Sequence, residues 1–324
     1  MAGTHTITMT VLSARGRETF STAQLDALEA VAQLHVERVP ERLPDADLVA
    51  LCAGADVVGL SRRATQDVHA GIIAALPRLR GLAIHATGRE WVDEEALHDG
   101  DILLASLPGY ATRVVAEHTL GLLLSMSRRL HLSDRRARGE FGSDISLRGW
   151  ELHGRTLGII GMGRIGSEVA RLAGAFGMRV VYFDTQAVTT TAAESLPLDA
   201  VLATADVVVL ACSLQRGRPA WFDADLIARM RPGAVLLNPA RPGLVDNGAV
   251  LAGVARGHLA GYAVDDSVFD AQQLASVEHG RILQSAHTAW YSDEAIAAGI
   301  EAWTQELLAL ATVLQSRPLP AEAG

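Results

Sequence analysis

Residues that could carry out acid–base and anion-binding chemistry follow three β-like runs in the C-terminal half of the chain. Arg241 comes after "VLLN", Asp265 and Asp266 come after "GYAV", and His287 comes shortly after "RILQ". A histidine can exchange a proton near neutral pH. An arginine can grip a carboxylate through two parallel hydrogen bonds. Because ligands bind outside the carboxyl ends of the strands in doubly wound sheets, we expect these side chains to form one catalytic set.

A glycine motif between a β-like run and a helical pattern indicates a dinucleotide site. Gly161, Gly163 and Gly166 form G-x-G-x-x-G within "TLGIIGMGRIGSEVARL". The first glycine permits a tight turn, the second lets the backbone approach a pyrophosphate, and the third allows close packing of helix on strand. The backbone amides of Arg164 and Ile165, at the start of the helix, are expected to face the phosphates. The motif therefore predicts dinucleotide binding.

The residue that ends the next β-like run distinguishes between two dinucleotides. Asp184 ends "RVVYFD", and a carboxylate there accepts hydrogen bonds from a ribose diol and repels a 2′-phosphate. The residues after it, "TQAVTT", include no arginine that could bind such a phosphate. The sequence therefore predicts NAD, rather than NADP, as the cofactor.

The elements that must position these residues alternate between β-like and helical patterns. The first β-like series is "TITMTVLSA", "LHVERV", "DVVGLS", "GLAIHAT" and "DILLAS"; a second, from Thr156, is "TLGIIG", "RVVYFD", "DVVVLA", "AVLLN", "GYAVD" and "RILQ". Such alternation implies parallel sheets covered on both faces by helices. Residues 114–138 are predicted to form one long helical stretch with a basic end. A last helix is predicted from Asp293 to a point before Pro318.

Composition excludes several classes of protein. The chain has 324 residues, 49% of them hydrophobic, which suggests about two domains. A net charge of −9 argues against a nucleic-acid or anionic-membrane surface as a partner. All 28 basic residues are arginines, which excludes Schiff-base chemistry and a P-loop lysine. No signal-peptide pattern or membrane-spanning run occurs, and Cys52 and Cys212 lie in or beside apolar runs; we therefore expect a cytoplasmic protein without a metal pair.

These motifs, in their order, resemble those of the D-isomer specific 2-hydroxyacid dehydrogenases over nearly the whole chain. The similar segments are "GLAIHATGREWVD", "SLPGYATRVVAEHTLGLLL", "LHGRTLGIIGMGRIGSEVARLAGAFGMRVVYFD", "MRPGAVLLNPARPGLVDNGAVLAGV" and "SAHTAWYSDEA". The tripeptide W-Y-S (residues 290–292) is typical of the C-terminal-binding-protein branch. The resemblance implies an α/β fold of two doubly wound parallel-sheet domains, with a Rossmann NAD-binding domain (114–289) inserted into a flavodoxin-like substrate domain (1–113 plus 290–324). It also implies a homodimer.

The resemblance further implies roles for individual residues. His287 matches the family's acid/base and Arg241 its substrate-binding arginine. Asp270 matches a glutamate that hydrogen-bonds the histidine, although it is one methylene shorter, and the residue after Arg241 is Pro242 in place of the usual glycine. The residues implied to contact cofactor are Gly161, Gly163, Arg164, Ile165, Gly166, Asp184, Ser213, Asn238, Ala240, Arg241, Asp265 and His287. Those implied to contact substrate are Thr87, Gly88, Arg89, Arg241 and Trp290.

Two kinds of function stay open from the sequence. The first is NAD-dependent interconversion of a 2-oxo acid and a D-2-hydroxy acid, and Arg89, unusual in its loop, favours a doubly charged substrate. The alternative is an NADH-sensing, oligomerising scaffold of the C-terminal-binding-protein type with weak turnover, which the altered Asp270 region favours. Binding alone requires neither Arg241 nor His287. A phosphite-type oxidoreductase is not favoured, because that activity uses a lysine where this chain has Thr87.

Overall fold

The computed structural model describes residues 6–140, 144–189 and 192–317. The chain divides into two α/β units, one formed by Met1–Tyr110 with Asp293–Gly324 and the other by Ala111–Ser292. The motifs place these divisions at 113/114 and 289/290. One unit is thus inserted into the other, and both contain a wholly parallel sheet, so the predicted fold class is confirmed.

The first unit contains a five-stranded sheet in the order β2-β1-β3-β4-β5. Its strands are β1 (Thr8–Ser13), β2 (Gln33–Arg38), β3 (Val57–Ser61), β4 (Gly81–His85) and β5 (Leu103–Ala105). The helices between them are α1 (Thr22–Val31), α2 (Asp45–Cys52), α3 (Ala70–Ala74) and α4 (Glu94–Asp99). The β4 strand ends just before the loop that contains Thr87, and this loop lies at the carboxyl edge of the sheet.

The second unit contains a seven-stranded sheet in the order β12-β11-β10-β9-β6-β7-β8. Its helices are α5 (Thr112–Arg128), α6 (Leu130–Ala137), α7 (Arg164–Ala175), α8 (Leu198–Thr204), α9 (Ala224–Arg229), α10 (Asn247–Ala255) and α11 (Ala271–Ala275). Its strands are β6 (Thr156–Ile160), β7 (Arg179–Phe183), β8 (Glu194–Ser195), β9 (Val207–Leu210), β10 (Ala234–Asn238), β11 (Leu259–Val264) and β12 (Ile282–Gln284). The strand order reverses beside β6, which creates the crevice where such sheets bind ligands.

The central strands of this unit are apolar on both faces, because helices cover both faces of a parallel sheet. In β9, Val207 and Val209 pack in the cluster that contains Leu123 of α5 and Val169 of α7. The alternate residues of β9 pack in a second cluster on the opposite face, with Ile227 of α9. Each face of the sheet therefore has a core of its own, and the sheet is a rigid base for the loops at its edge.

A last helix, α12 (Asp293–Ser316), completes the core of the first unit, as the sequence predicts. Trp303 of α12 is 1% exposed, and its Nε1 donates a hydrogen bond to the carbonyl oxygen of Ala83 at 3.0 Å. A Cβ on Gly59 of β3 would lie 3.2 Å from both Trp303 and Leu307. The glycine therefore lets α12 lie close against the sheet.

The long helix predicted over 114–138 is interrupted, so this prediction is wrong in one respect. Arg129 adopts the left-handed conformation (φ 50°, ψ 37°) and separates α5 from α6. Just before it, the carbonyl oxygen of Ser127 accepts a hydrogen bond from the N–H of Trp150 at 2.8 Å. Because this carbonyl oxygen is bound by a segment distant in sequence, the series of hydrogen bonds within the helix is interrupted there. None of the described helices is long and apolar enough to span a membrane.

Candidate active site

The glycine loop after β6 contains two glycines that the protein itself requires and one that opens onto space. Gly161 has φ +98°, and a Cβ there would lie 2.7 Å from the carbonyl oxygen of Ala211. A Cβ on Gly166 would collide with the carbonyl oxygen of Gly161. A Cβ on Gly163, by contrast, would meet nothing within 4 Å. The position expected to approach a pyrophosphate is thus the one that offers room for it.

The start of α7 provides donors beside this loop. Gly163 is the N-cap residue and has no side chain to cap the helix. Within the described part of the chain, the N–H groups of Arg164 and Ile165 have no hydrogen-bond partner. First-turn N–H groups of this kind, together with the helix dipole, bind phosphate. The loop and helix therefore fit the pyrophosphate of a dinucleotide.

Asp184 follows β7 and reaches over the glycine loop. Its carboxylate accepts hydrogen bonds from the N–H of Met162 at 2.6 Å and from the N–H of Gln186 at 2.8 Å. A carboxylate at this place fits a ribose diol and repels a 2′-phosphate. The geometry agrees with the preference for NAD that the sequence predicts.

Arg241 lies in a turn whose backbone is hydrogen-bonded to the side chain of Asn238. The Asn238 side chain is buried, and its Oδ1 accepts hydrogen bonds from the N–H groups of Ala240 and Arg241, each at 3.2 Å. Its Nδ2 donates to the carbonyl oxygen of Arg241 at 2.8 Å, and to the hydroxyl of Tyr262 at 3.3 Å. The structure therefore places this side chain inside the turn, where it supports Arg241, and not at the surface where a cofactor would touch it.

Asp265 supports the His287 loop in a similar way. Its carboxylate is 4% exposed and accepts three hydrogen bonds, from the hydroxyl of Ser285 (2.6 Å) and the N–H groups of Thr288 (2.8 Å) and Ala289 (2.9 Å). The Nε2 of His118 lies 3.1 Å from the same hydroxyl. Because β11 and β12 are neighbours, the buried carboxylate ties the two strand ends together.

His287 projects from this loop with an unusual backbone conformation. Its φ is +55°, in the left-handed region, and 44% of its side chain is exposed. Its Nδ1 lies 3.5 Å from the Oδ2 of Asp266. The Nε2 atom has no hydrogen-bond partner within the described residues, so one ring nitrogen faces an acid and the other is available to a ligand.

Asp270, which the family resemblance places beside the histidine, lies elsewhere. Its side chain accepts a hydrogen bond from the N–H of Gln273 at 2.8 Å and caps α11. No ion pair or hydrogen bond joins it to His287 in the described part of the chain. The spacing Asp-x-x-Gln is a capping-box signature, and this signal in the sequence was missed. The sequence named Asp266 together with Asp265 at this strand end but gave the role beside the histidine to Asp270, and the structure places Asp266 there.

The other expected site residues of this unit lie in exposed or half-buried loops at the same edge. Ser213 is exposed after β9, and Ala240 is half-buried before Arg241. Trp290 is half-buried and packs edge-on against the ring of Tyr291, with 5.3 Å between ring centroids. The Tyr291 side chain is 58% exposed.

In the first unit, the loop after β4 presents its backbone. The hydroxyl of Thr87 donates to the carbonyl oxygen of Leu107 at 2.8 Å, and the Nε1 of Trp91 donates to that of Gly88 at 2.9 Å. These bonds fix the loop, whereas the N–H groups of Thr87, Gly88 and Arg89 have no partner within the described residues. Successive unpaired N–H groups form a concave site for an anion. The Arg89 guanidinium pairs with Glu94 at 3.3 Å.

Comparison with known proteins identifies the family. A model of the NAD-binding domain of D-isomer specific 2-hydroxyacid dehydrogenases matches residues 120–289. The chain belongs to this family. The second unit is its NAD-binding domain, and the predicted family and cofactor are confirmed.

Relatives and solved structures agree with this assignment. A putative 2-hydroxyacid dehydrogenase from Haemophilus influenzae is 31% identical over 276 residues, which cover 80% of this chain and 82% of the relative. A glyoxylate reductase from Pyrococcus furiosus is 31% identical over 266 residues, covering 79% and 75%. A crystal structure of a Thermus thermophilus protein matches with a TM-score of 0.80 and 29% identity, covering 95% of this chain and 97% of that one.

Proposed function

We propose that the protein is an NAD-dependent oxidoreductase that interconverts a 2-oxo acid and a D-2-hydroxy acid. The observation that carries the proposal is the placement of Arg241 and His287 beyond β10 and β12 of the NAD-binding sheet, with the His287 Nε2 open to a ligand. A protein that only binds NADH requires neither side chain. The NADH-sensing scaffold is therefore the weaker candidate.

The residues that would hold the cofactor are those of the glycine loop and its neighbours. The N–H groups of Arg164 and Ile165 would bind the pyrophosphate, Gly163 would let the backbone approach it, and Asp184 would accept hydrogen bonds from the ribose. When bound, NADH supplies the hydride that adds to C2 of the 2-oxo acid.

Arg241 and His287 act on the substrate. The guanidinium of Arg241 binds the carboxylate and polarises the adjacent carbonyl group, so it stabilises the negative charge that develops on the oxygen. His287, as the imidazolium, donates its Nε2 proton to that oxygen. In the oxidative direction the neutral ring accepts the proton of the 2-hydroxyl group.

The loop of the first unit is proposed to bind the substrate as well. The N–H groups of Thr87, Gly88 and Arg89 suit a carboxylate, and the Arg89 side chain favours a second acidic group. Trp290 is proposed to contact the substrate. A homodimer and a cytoplasmic location are further parts of this proposal, and they rest on the family resemblance and on composition.

The test is NADH oxidation, followed by its absorbance, with a panel of 2-oxo acids from glyoxylate to aryl and dicarboxylic acids. His287→Ala is expected to lower kcat by about 10²- to 10⁴-fold, the usual contribution of general acid catalysis. NADH affinity, measured by fluorescence, should stay unchanged. His35→Ala, at an exposed position on β2, is the control and should retain full activity. Tight NADH binding without turnover of any acid would contradict the proposal and favour the scaffold.

A further inference from the structure

Two neighbouring aspartates at the end of β11 have very different surroundings. The Asp265 side chain is 4% exposed, whereas that of Asp266 is 36% exposed. Both residues lie in a bend just after Val264, the last residue of β11. One carboxylate enters the interior under the His287 loop, and the other stays at the surface beside the imidazole ring.

The buried carboxylate fixes the backbone around His287. It binds the N–H groups of Thr288 and Ala289 with its two oxygens, one on each. A left-handed φ of +55° is unfavourable for a residue with a Cβ, by roughly 1–2 kcal/mol. These hydrogen bonds hold the loop in that conformation. The remaining freedom of His287 is then the rotation of its own side chain.

The exposed carboxylate is placed to limit that rotation. The Oδ1 of Asp266 accepts a hydrogen bond from the N–H of Ser267 at 2.8 Å, which holds the carboxylate in place. Its Oδ2 faces the Nδ1 of His287 at 3.5 Å. A carboxylate beside one ring nitrogen keeps a proton on that nitrogen and leaves the other for chemistry.

The hydrogen bonds of Asp270 are made within α11 and not with His287. Its side chain accepts from the Gln273 N–H, and the Gln273 side chain accepts from the Asp270 N–H at 3.0 Å. This reciprocal pair closes the first turn of α11. Moving the carboxylate to His287 would break the pair.

We infer that Asp266, and not Asp270, is the residue that positions the His287 ring and fixes its tautomer for proton transfer. The inference rests on the proposed function. In the reductive direction, the Nε2–H bond of His287 breaks and its electron pair stays on Nε2. The proton forms an O–H bond with the former carbonyl oxygen of the substrate, which is bonded to the carbon that receives the hydride. The Nδ1 proton stays on the ring throughout, and Asp266 stays ionised.

The first experiment is nuclear magnetic resonance of isotope-labelled histidine in the protein without substrate, with the His287 signals assigned from their loss in His287→Gln. At a pH where the ring is neutral, the wild-type protein should show mainly the Nδ1–H tautomer. Asp266→Asn should shift the population towards Nε2–H. Asp270→Asn is the matched control and should leave the tautomer unchanged, because asparagine caps a helix as well as aspartate does.

The second experiment is steady-state kinetics on the same variants. Asp266→Asn should lower kcat by roughly 10²-fold, at the low end of what positioned acid–base groups contribute, because the pair is partly exposed. KM and NADH affinity should change by less than about threefold. Asp266→Glu should recover part of the loss, and Asp270→Asn should keep kcat within about threefold of wild type.

The outcomes separate this inference from the proposed function. A wild-type tautomer that Asp266→Asn does not alter overturns the inference, even if His287→Ala abolishes turnover. So does a kcat loss that follows Asp270→Asn instead. A wild-type protein that turns over no acid contradicts the proposed function, while the tautomer experiment still decides whether Asp266 positions the ring.

Discussion

The carboxyl edges of the two sheets present their candidate binding groups in different ways. In the first unit, the loop after β4 offers backbone N–H groups, and side-chain bonds from Thr87 and Trp91 are among those that hold it. In the second unit, the turns after β10 and β12 offer side chains, and each turn rests on a buried polar residue, Asn238 or Asp265. A site made of backbone requires loop geometry alone, whereas a site made of side chains also requires buried supports.

This difference has an energetic consequence. A buried polar group that loses its partners costs about 1–3 kcal/mol, because neither water nor protein then satisfies it. Exposed charged pairs contribute about 0–1 kcal/mol. Substitutions at the supports of the second unit should therefore affect folding and activity together, and those in the loop of the first unit should affect selectivity with little loss of stability.

The largest effect is expected for Asp265→Asn. The substitution replaces one carboxylate oxygen with an NH₂ group, which cannot accept a hydrogen bond. At least one N–H group of the His287 loop would therefore lose its acceptor. We expect the free energy of unfolding to fall by about 3 kcal/mol, and kcat to fall about 10²-fold as His287 leaves its position. Urea unfolding and steady-state kinetics measure the two effects. Unchanged stability would show that the loop does not depend on this buried support.

His85 of the first unit is a half-buried residue whose Nε2 atom is buried. Its ring lies 5.0 Å from that of Trp303, its Nε2 has no partner in the described part of the chain, and burial lowers its pKa to about 4. The unfolded chain takes up this proton near pH 6.5, so stability is intact above that pH and is lost as the pH falls towards 4. The loss should reach about 3 kcal/mol.

His85→Phe tests the direction of this pH dependence of stability, because it keeps an aromatic ring and removes the titrating group. The variant should unfold less readily than wild type in mild acid, and the gap between them should close as the pH rises through the ordinary range of histidine. Urea titrations across that range provide the measurement. A gap that is constant with pH would mean that protonation of His85 has no part in acid unfolding.

A smaller effect is expected for Asn238→Ala. The N–H groups of Ala240 and Arg241 would lose their acceptor, at a cost of about 2 kcal/mol in the free energy of unfolding. Arg241 would be held less firmly, so KM for the 2-oxo acid should rise several-fold. Gln305→Ala is a useful control, because its exposed side chain bonds Glu301 within α12 and lies outside the Arg241 turn. Equal effects of the two substitutions would remove the special role of Asn238.

The smallest effect on stability is expected for Arg89→Gln. Its pair with Glu94 is half-exposed, so the free energy of unfolding should change by less than about 0.5 kcal/mol. Selectivity should change more: the ratio of kcat/KM for dicarboxylic over monocarboxylic 2-oxo acids should fall roughly tenfold, or about 1.4 kcal/mol. A wild-type enzyme without preference between the two classes would show that Arg89 does not select the substrate's charge.

The main architecture could be predicted from sequence because its signals are local and repeated. Alternating β-like and helical patterns, with Gly161, Gly163 and Gly166 at one strand end, are sufficient for a parallel sheet with a dinucleotide crevice. The two-residue strand β8 and the break at Arg129 were not predicted. The break at Arg129 accompanies a hydrogen bond from the distant Trp150 to Ser127, and β8 forms by pairing with β7; neither contact leaves a local pattern in the sequence.

The candidate site could be predicted only in part. The strand ends brought Arg241 and His287 to the same edge, as the pattern indicated. The choice among Asp265, Asp266 and Asp270 could not be made from residue type, because all three are aspartates and their tasks follow from burial and from the direction of each side chain. The capping box that starts at Asp270 was the one local signal that could have removed it from the set.

The return of α12 to the first unit also fixes the order in which the chain can fold during synthesis. The five strands of that unit are made first, but their core lacks Trp303 and Leu307 until residues 293–316 have left the ribosome. The inserted unit is complete before then. Most chains fold their N-terminal domain first. Here the strands that are synthesised first can complete their core only after α12, the last helix, has been made. Protease protection of ribosome-bound chains should therefore appear in residues 111–292 before it appears in residues 6–110.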